Sequence, residues 1–311
     1  MQGPVPILID DRIRVYFAAR NVAGKSYPAF VDLDAGDPRR VLDWQLQPIM
    51  PYGPTGTFDD DGNMPACALR NGDDILLYYS GWNRRVTTPC HNSTGLAHSR
   101  DGGKTFIRRF DGPLLDRTPD EPYMAVTPWV MREASGWRMW YVSGMGWINV
   151  EGRQEPLYAI KQADSTDGVH WRRDGRLAVP LRHDGEAIAR PTVSRDPSGV
   201  YHMWYSYRDS HDFRDGVGSY RIGYAQSADG RTWNRNDAAA GLPVEREDWE
   251  AQMRCYPYLL HIGDRSYLFY SGNSFGQSGL GCAVWEGPPL VANSAGRTHP
   301  EQAAKYPVPK P

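Results

Sequence analysis

The chain has 311 residues, with 11 tryptophans, 18 tyrosines, 32 glycines and 25 prolines, a composition that favours short strands and tight turns over helices. Its length suits one large domain or two small ones. The formal net charge of −2 and the lack of an apolar run of about 18 residues predict no nucleic-acid partner and no membrane partner.

A unit of strand, turn, strand, loop, strand and turn recurs along the chain. Its second strand has a weak copy at residues 15–20 and four strong copies, whose serines are 63, 63 and 65 residues apart: Ser80, Ser143, Ser206 and Ser271. A Ser-x-Asp-Gly turn that ends in an aromatic residue follows in three units, beginning at Ser99, Ser165 and Ser227. Two signatures in phase indicate a repeat architecture of five units.

These repeats predict an all-β fold, a five-bladed β-propeller with four-stranded antiparallel blades around a central axis. The predicted blades cover approximately residues 4–48, 57–112, 120–177, 186–236 and 250–287. Residues 288–311, rich in proline, alanine and polar residues, are predicted to be a C-terminal extension on the surface. The Asp-Gly turns have a structural explanation, because their Ser and Asp side chains can bind nearby backbone amides while glycine adopts a positive φ.

An acidic turn precedes a proline-containing inner strand in four units, and these turns supply the catalytic candidates Asp60, Glu121, Glu186 and Glu250. Because inner strands converge on the axis of a propeller, we expect these carboxylates to share one pocket. Crowding raises the pKa of at least one carboxyl group, and cleavage of a glycosidic bond requires a protonated acid beside an ionised one. Alternatively, Glu186 and Glu250 each form an ion pair with the arginine four residues further on.

The same face of the propeller is predicted to collect side chains that suit a sugar. These substrate-binding candidates are Asn63, Trp82, Arg85, His91, Trp147, Arg190, His211 and Arg254. The tryptophans can stack on sugar faces, and Arg190 and Arg254 can bind hydroxyl groups or a carboxylate. The alternative for the two histidines is a place on the surface, because both lie in polar loops.

The five units, the Trp-Tyr-Ser second strands and the acidic entrances to the inner strands resemble the five-bladed propeller glycoside hydrolases. These include arabinanases, xylosidases, invertases and the related mannoside phosphorylases, and the resemblance covers about residues 4–287. It implies a catalytic Asp, a modulating Asp and a Glu acid from different blades, to which Asp60, Glu186 and Glu250 correspond. The modulator is here a Glu, and the motifs Asn-Asp-Pro-Asn and Glu-Cys-Pro are absent from the sequence. Hydrolysis, phosphorolysis, lyase chemistry and transfer therefore stay open.

The expected function is that of a carbohydrate-active enzyme that cleaves or transfers a glycosidic bond, with a saccharide or glycoside as its partner. One alternative is a non-catalytic propeller that binds a saccharide or a protein. Another, weaker alternative is a sialidase-like hydrolase, since residues 99–106 resemble a sialidase Asp-box. Glu250 lies between Trp249 and an apolar strand, so we expect a raised pKa and the role of proton donor there, with Asp60 as base or nucleophile.

No cofactor and no catalytic metal are expected, because Cys90 and His91 have no second ligand pair at metal-binding spacing. The four cysteines form no Cys-x-x-Cys pair, which predicts free thiols. The first ten residues lack the basic and long apolar regions of a signal peptide, which predicts a cytoplasmic protein.

Overall fold

The structure is a computed structural model that describes residues 1–214, 216–243 and 247–291. Within these ranges, the first blade contains β1 (Gln2–Ile9), β2 (Arg12–Arg20), β3 (Ser26–Asp34) and β4 (Val41–Gln45). The second contains β5 (Gly62–Asn71), β6 (Asp74–Arg84), β7 (Cys90–Ser99) and β8 (Ile107–Arg108). The third contains β9 (Ala125–Glu133), β10 (Gly136–Val150), β11 (Arg153–Ser165) and β12 (Arg172–Leu177).

The remaining two blades complete the fold. The fourth contains β13 (Glu186–Arg195), β14 (Tyr201–Asp209), β15 (Arg221–Ser227) and β16 (Asn234–Arg235). The fifth contains β17 (Cys255–Ile262), β18 (Arg265–Ser271) and β19 (Leu280–Val284). The described residues also form 3₁₀ turns at Asp237–Ala240 and Asp248–Glu250 and one α-helical turn at Asn273–Gly276. No helix in this part of the chain has the length and apolar character needed to cross a membrane.

The innermost strands close a ring around the axis. β1, β5, β9, β13 and β17 pack side by side, and β17 contacts both β13 and β1. The predicted five-bladed propeller is therefore confirmed, although the fifth blade has three strands instead of four within the described residues. Residues 292–311 of the predicted C-terminal extension lie outside the described residues. Leu290 is buried, and its carbonyl accepts a hydrogen bond of 2.6 Å from Ser194, so this part of the extension packs on the fourth blade.

Each inner strand is bent beside a proline. The residue before that proline has a positive φ in four of the five strands: 65° at Gly3, 44° at Thr127, 53° at Arg190 and 59° at Tyr256. The pairing with the second strand shifts register at each of these positions. Three of the four residues are not glycine, and side chains rarely tolerate this conformation. These inner strands therefore contain strained β-bulges beside their prolines.

The periodic serines hold these bulges from the neighbouring blade. Ser80 accepts a hydrogen bond of 3.1 Å from the amide of Thr127, and Ser206 accepts one of 2.7 Å from the amide of Tyr256. Ser271 of the fifth blade accepts the amide of Gly3 at 3.1 Å, which closes the ring onto the first blade. The serine repeat thus reflects contacts between blades, each of which satisfies a backbone amide that the bulge removes from its own sheet.

The Ser-x-Asp-Gly turns also connect neighbouring blades, as their structural explanation predicts. Within each turn the Ser hydroxyl donates to the Asp carboxylate, at 2.7 Å between Ser99 and Asp101. The carbonyl of the turn glycine accepts a hydrogen bond from an aromatic side chain of the preceding blade, from Tyr16 to Gly103, from Tyr78 to Gly168 and from Trp140 to Gly230. These aromatic side chains are fully buried, so the hydrophobic core lies between adjacent blades.

Candidate active site

The residues that precede the inner-strand prolines form a layer around the axis, which we call the axial ring: Gly3, Met64, Thr127, Arg190 and Tyr256. The contacts of Arg190 show that these residues converge on the axis. It belongs to β13, its guanidinium lies 5.5 Å from the ring of Tyr256 on β17, and a Cβ atom on Gly3 of β1 would overlap its Nη2 atom. A side chain can reach two other inner strands in this way only near the axis.

Arg190 is a buried cation without an acidic partner. Its exposed fraction is 9%, and burial lowers its pKa from the ordinary value, with only phenol and thiol groups nearby to counteract the effect. Among the described residues, the Arg190 guanidinium donates no hydrogen bond and forms no ion pair. Because guanidinium groups are protonated at any physiological pH, the axial ring carries a positive charge that the described protein atoms do not neutralise.

Two further polar groups near the axis lack a partner within the described residues. The hydroxyl of Thr127 and the indole N–H of Trp129 are buried and unpaired. Trp129 packs edge to face against Tyr258 with 4.6 Å between ring centroids, and the Tyr258 hydroxyl accepts a hydrogen bond of 3.3 Å from the amide of Ala68 on β5. These two aromatic residues close the axis two positions beyond the ring. Met64, Thr127 and Tyr256 are only half-buried, so the ring is accessible from the side on which the inner strands begin.

The acids that precede the inner strands form ion pairs inside their own blades. Asp59, which is completely buried, accepts hydrogen bonds from Arg108 at 2.7 Å and from Tyr79 at 3.0 Å. Glu121 accepts hydrogen bonds of 2.8 Å from Tyr141 and Ser143. The Nη1 atom of Arg173 lies 3.6 Å from Glu121. Arg108 and Arg173 both belong to the outermost strand of their blade, so each pair ties the entrance of the inner strand to the outer edge.

The fourth and fifth blades repeat this arrangement with one change. Glu186 accepts hydrogen bonds of 2.8 and 2.7 Å from Arg235 on the outermost strand β16. Glu250 accepts hydrogen bonds of 2.9 and 2.7 Å from Arg254, four residues further on, since its blade has no fourth strand among the described residues. The alternative ion-pair interpretation thus holds for Glu250 and fails for Glu186. Each of the three glutamates is paired with an arginine of its own blade, and their expected convergence on the axis stays a prediction.

The expected raised pKa of Glu250 is also wrong. Burial by itself would raise the pKa, but the hydrogen bonds from Arg254 and Tyr270 outweigh it, and the resulting pKa lies below the ordinary value. Asp60 differs from the four paired acids, because the amide of Gly56 donates to its Oδ2 atom at 2.8 Å while its Oδ1 atom is buried without a partner in the described structure. The acid equivalent to the glutamates is Asp59, one residue before the predicted Asp60.

Several predicted sugar-binding side chains are used in packing. Trp82 is 9% exposed, and its indole N–H donates to the Ser26 hydroxyl of the first blade at 2.6 Å, so its ring does not offer a free stacking surface. His91 is buried between Asp116, 2.7 Å from Nε2, and Arg117, 3.0 Å from Nδ1. The alternative surface position of His91 is therefore wrong, and both of its ring nitrogens are occupied by protein partners.

The other predicted binding residues are divided between the interior and the rim. Asn63 is completely buried and donates to the carbonyl of Pro51 at 3.1 Å, while its Oδ1 atom has no described partner. Trp147 is half-buried against a cluster of apolar residues that belong to the third and fourth blades. Arg85 and His211 are exposed and line separate cavities of about 330 and 180 Å³ on the loops.

Sequence reasoning missed Gly3, Thr127 and Tyr256, although a signal for them was present. Each directly precedes the proline of an inner strand, as Arg190 does, and aligning the repeat units on that proline would have selected them. The acidic candidates, which lie four to six residues earlier, were selected instead of this position.

No model of a known protein family matches the chain. The uncharacterized protein Rv1502 of Mycobacterium tuberculosis strain H37Rv is 36% identical over 285 residues, which cover 91% of each chain. The chain belongs to the family of Rv1502. The uncharacterized protein MT1551 of strain CDC 1551 / Oshkosh matches this chain with the same identity and coverage.

Solved structures agree with the fold of this member of the Rv1502 family. A glycoside hydrolase superposes with a TM-score of 0.69 at 17% identity, covering 100% of this chain and 91% of its own. A thermostable family-43 glycoside hydrolase gives a TM-score of 0.63 at 16% identity, with 96% of both chains covered. A structure from the GH130 family of mannoside phosphorylases gives 0.65 at 16% identity, covering 91% and 83%. The predicted resemblance to propeller glycoside hydrolases is thereby confirmed for the fold.

Proposed function

We propose that the chain is a carbohydrate-active enzyme that cleaves or transfers a glycosidic bond, with its saccharide bound in the pocket above the axial ring. The observation that carries the proposal is the strain of that ring. Thr127, Arg190 and Tyr256 occupy left-handed backbone conformations on three successive inner strands. Serines of neighbouring blades fix the amides of Thr127 and Tyr256. Strain that the surroundings enforce in this way is typical of functional sites.

The polar groups of the pocket suit a sugar. The unpaired hydroxyl of Thr127 and the guanidinium of Arg190 can bind sugar oxygens without first breaking a protein hydrogen bond. Burial raises the pKa of the Tyr256 phenol further above its ordinary value of 10, so the O–H group stays available to donate a hydrogen bond to a departing oxygen. Asp60, with one unpaired buried oxygen, is the proposed base or nucleophile, while Glu121, Glu186 and Glu250 maintain the strand entrances as ionised partners of arginine.

A second candidate is a propeller that binds a saccharide without catalysis. The specific observation in its favour is that the axial ring contains no carboxylate and that Asp59, Glu121, Glu186 and Glu250 are all neutralised within their blades. Carboxylate pairs perform glycoside hydrolysis in most families, so the neutralisation of these four acids by arginine favours binding alone.

One assay separates the two candidates. The purified full chain is tested with a panel of aryl glycosides and oligosaccharides, with and without phosphate, and binding of the same compounds is measured by calorimetry. Turnover that Asp60→Asn abolishes, with unchanged circular dichroism, supports the enzyme. Saturable binding without turnover, unaffected by Asp60→Asn, contradicts the enzyme and supports the binding protein.

A further inference from the structure

We infer that the ligand of the axial pocket carries an anionic oxygen group, a carboxylate or a phosphate, that binds the Arg190 guanidinium. The inference rests on the proposed function for the location of the ligand, and it goes beyond it by naming a charge that the ligand must carry. It distinguishes acidic or phosphorylated sugars, and free phosphate beside a sugar, from neutral saccharides.

The first step of the argument is the contrast between Arg190 and the other buried arginines of the inner-strand entrances. Arg235 and Arg254 each donate two hydrogen bonds to a glutamate, at distances between 2.7 and 2.9 Å. Arg190 has no such acceptor, although Glu186 lies only four residues before it. A buried ion without a partner is costly, by several times the free energy of an ordinary hydrogen bond. A site that retains such an ion is prepared for a ligand of opposite charge.

The second step is a second buried arginine that lacks an acidic partner among the described residues. Arg208 is 2% exposed, and its described hydrogen bonds all reach neutral oxygen atoms, those of Tyr158, Tyr220, Ser210 and Pro156. The ring of Tyr256 lies 5.5 Å from the Arg190 guanidinium and 5.6 Å from the ring of Tyr220, which accepts from Arg208. The ring of Tyr220 thus lies between Arg208 and Tyr256, and neither Arg190 nor Arg208 forms an ion pair within the described residues. Glu155, an acid on the adjacent strand β11, is already held by two hydrogen bonds from Arg214.

The third step is shape. A guanidinium presents parallel N–H groups that match the two oxygens of a carboxylate or phosphate. Gly3 provides the space for this group, because a Cβ atom at that position would overlap Nη2 of Arg190. The hydroxyl of Thr127, on the adjacent inner strand, is an additional unpaired donor for the same anion. Arg190 is therefore placed to bind the anionic group, and Gly3 leaves the space that the guanidinium needs for its position.

The test is a calorimetric titration of the full chain with four probes: glucose, glucuronate, glucose 6-phosphate and inorganic phosphate. Variants are Arg190→Gln, with Arg176→Gln, an exposed residue of the outermost strand β12, as the control for an equal change of net charge. A charged hydrogen-bonded contact implies a loss of about 10-fold to 100-fold in affinity for the anionic probe in Arg190→Gln, and little change in Arg176→Gln. Glucuronate identifies a carboxylate, glucose 6-phosphate a phosphorylated sugar, and inorganic phosphate a separate anion.

A second pair of variants tests the position of the guanidinium without changing charge. Gly3→Ala moves Nη2 of Arg190, whereas Gly72→Ala imposes a similar backbone strain, with φ of 64° against 65°, where no atom lies within 4 Å of the added Cβ. We expect Gly3→Ala to weaken binding of the anionic probe and Gly72→Ala to leave it unchanged.

The outcomes separate this inference from the proposed function. Binding of glucose but of no anionic probe, or anionic binding that Arg190→Gln does not weaken, overturns the inference and leaves the saccharide pocket standing. A third outcome is that phosphate binds in a manner that depends on Arg190, while no saccharide binds either with or without phosphate. This outcome supports the anion site and contradicts the proposed function. Circular dichroism and thermal melting of each variant show that a lost affinity does not reflect unfolding.

Discussion

Glu186 and Arg190 lie four residues apart on one strand, yet Glu186 bonds to Arg235, which is 49 residues further along the chain. Glu186 is therefore neutralised inside the fourth blade, and Arg190 is left as an unpaired cation at the axis. The fifth blade differs from the fourth in this respect, because its Glu250 pairs with Arg254, the arginine four residues further on. The axial charge of the propeller follows from this choice of partner.

If Arg190 is maintained for a ligand, removing its charge should stabilise the ligand-free protein. Arg190→Met takes away an unpaired buried ion while keeping an apolar stem, so we expect the free energy of unfolding to rise by about 1 kcal/mol. Arg235→Met removes the ion-pair partner of Glu186 and should lower the free energy of unfolding by about 3–5 kcal/mol. Urea denaturation at pH 7 measures both. A large loss in Arg190→Met would mean that the side chain has a structural partner.

The ion pair of Glu250 should stabilise the protein at neutral pH and fail in acid. Its folded-state pKa lies below the ordinary value of 4.5, so its contribution is present above pH 4.5 and is lost as the pH falls through the lower folded-state value. Glu250→Gln should therefore be less stable than the wild type at pH 7, with the difference shrinking below pH 4.5. Denaturant unfolding at pH 7 and pH 3 gives the comparison. A difference that grows in acid would indicate a raised pKa instead.

The serine repeat should contribute to stability through the bulges. Ser206→Ala removes the acceptor for the Tyr256 amide and is expected to cost about 1–3 kcal/mol, because a partly buried N–H loses its partner. Ser135→Ala, in an exposed hairpin turn, should change stability by less than about 0.5 kcal/mol. Thermal unfolding of the two variants is the measurement. Equal small effects would show that Ser206 does not hold the bulge.

Asp59 and Asp60 are adjacent, but replacing each of them with asparagine should have a different effect. Asp59→Asn breaks the buried pair with Arg108 and should lower stability by about 3–5 kcal/mol. Asp60→Asn should change stability by less than about 1 kcal/mol, and under the proposed function it should reduce turnover by about 10²–10⁴-fold. Melting curves and rates on an active glycoside provide the two values. Turnover unaffected by Asp60→Asn would remove Asp60 from the reaction.

Much of the architecture follows from sequence alone, because strand alternation and turn chemistry are local. The serines near 63-residue intervals and the Ser-x-Asp-Gly turns give the number of blades, and the hydrogen bond from Ser99 to Asp101 spans only two residues. The fifth blade departs from the predicted four strands, because it has three strands within the described residues. Local spacing also predicts the pairing of Glu250 with Arg254.

The site depended on tertiary structure, because its charges are set by partners that are distant in sequence. Arg108, Arg173 and Arg235 reach their acids from the outermost strands, 49 to 52 residues away, and no local pattern indicates that. The burial of Trp82 likewise follows from its contact with Ser26 in another blade. Sequence supplied the acids and arginines, but only the packing of strands within and between blades determined which were neutralised and left Arg190 unpaired at the axis.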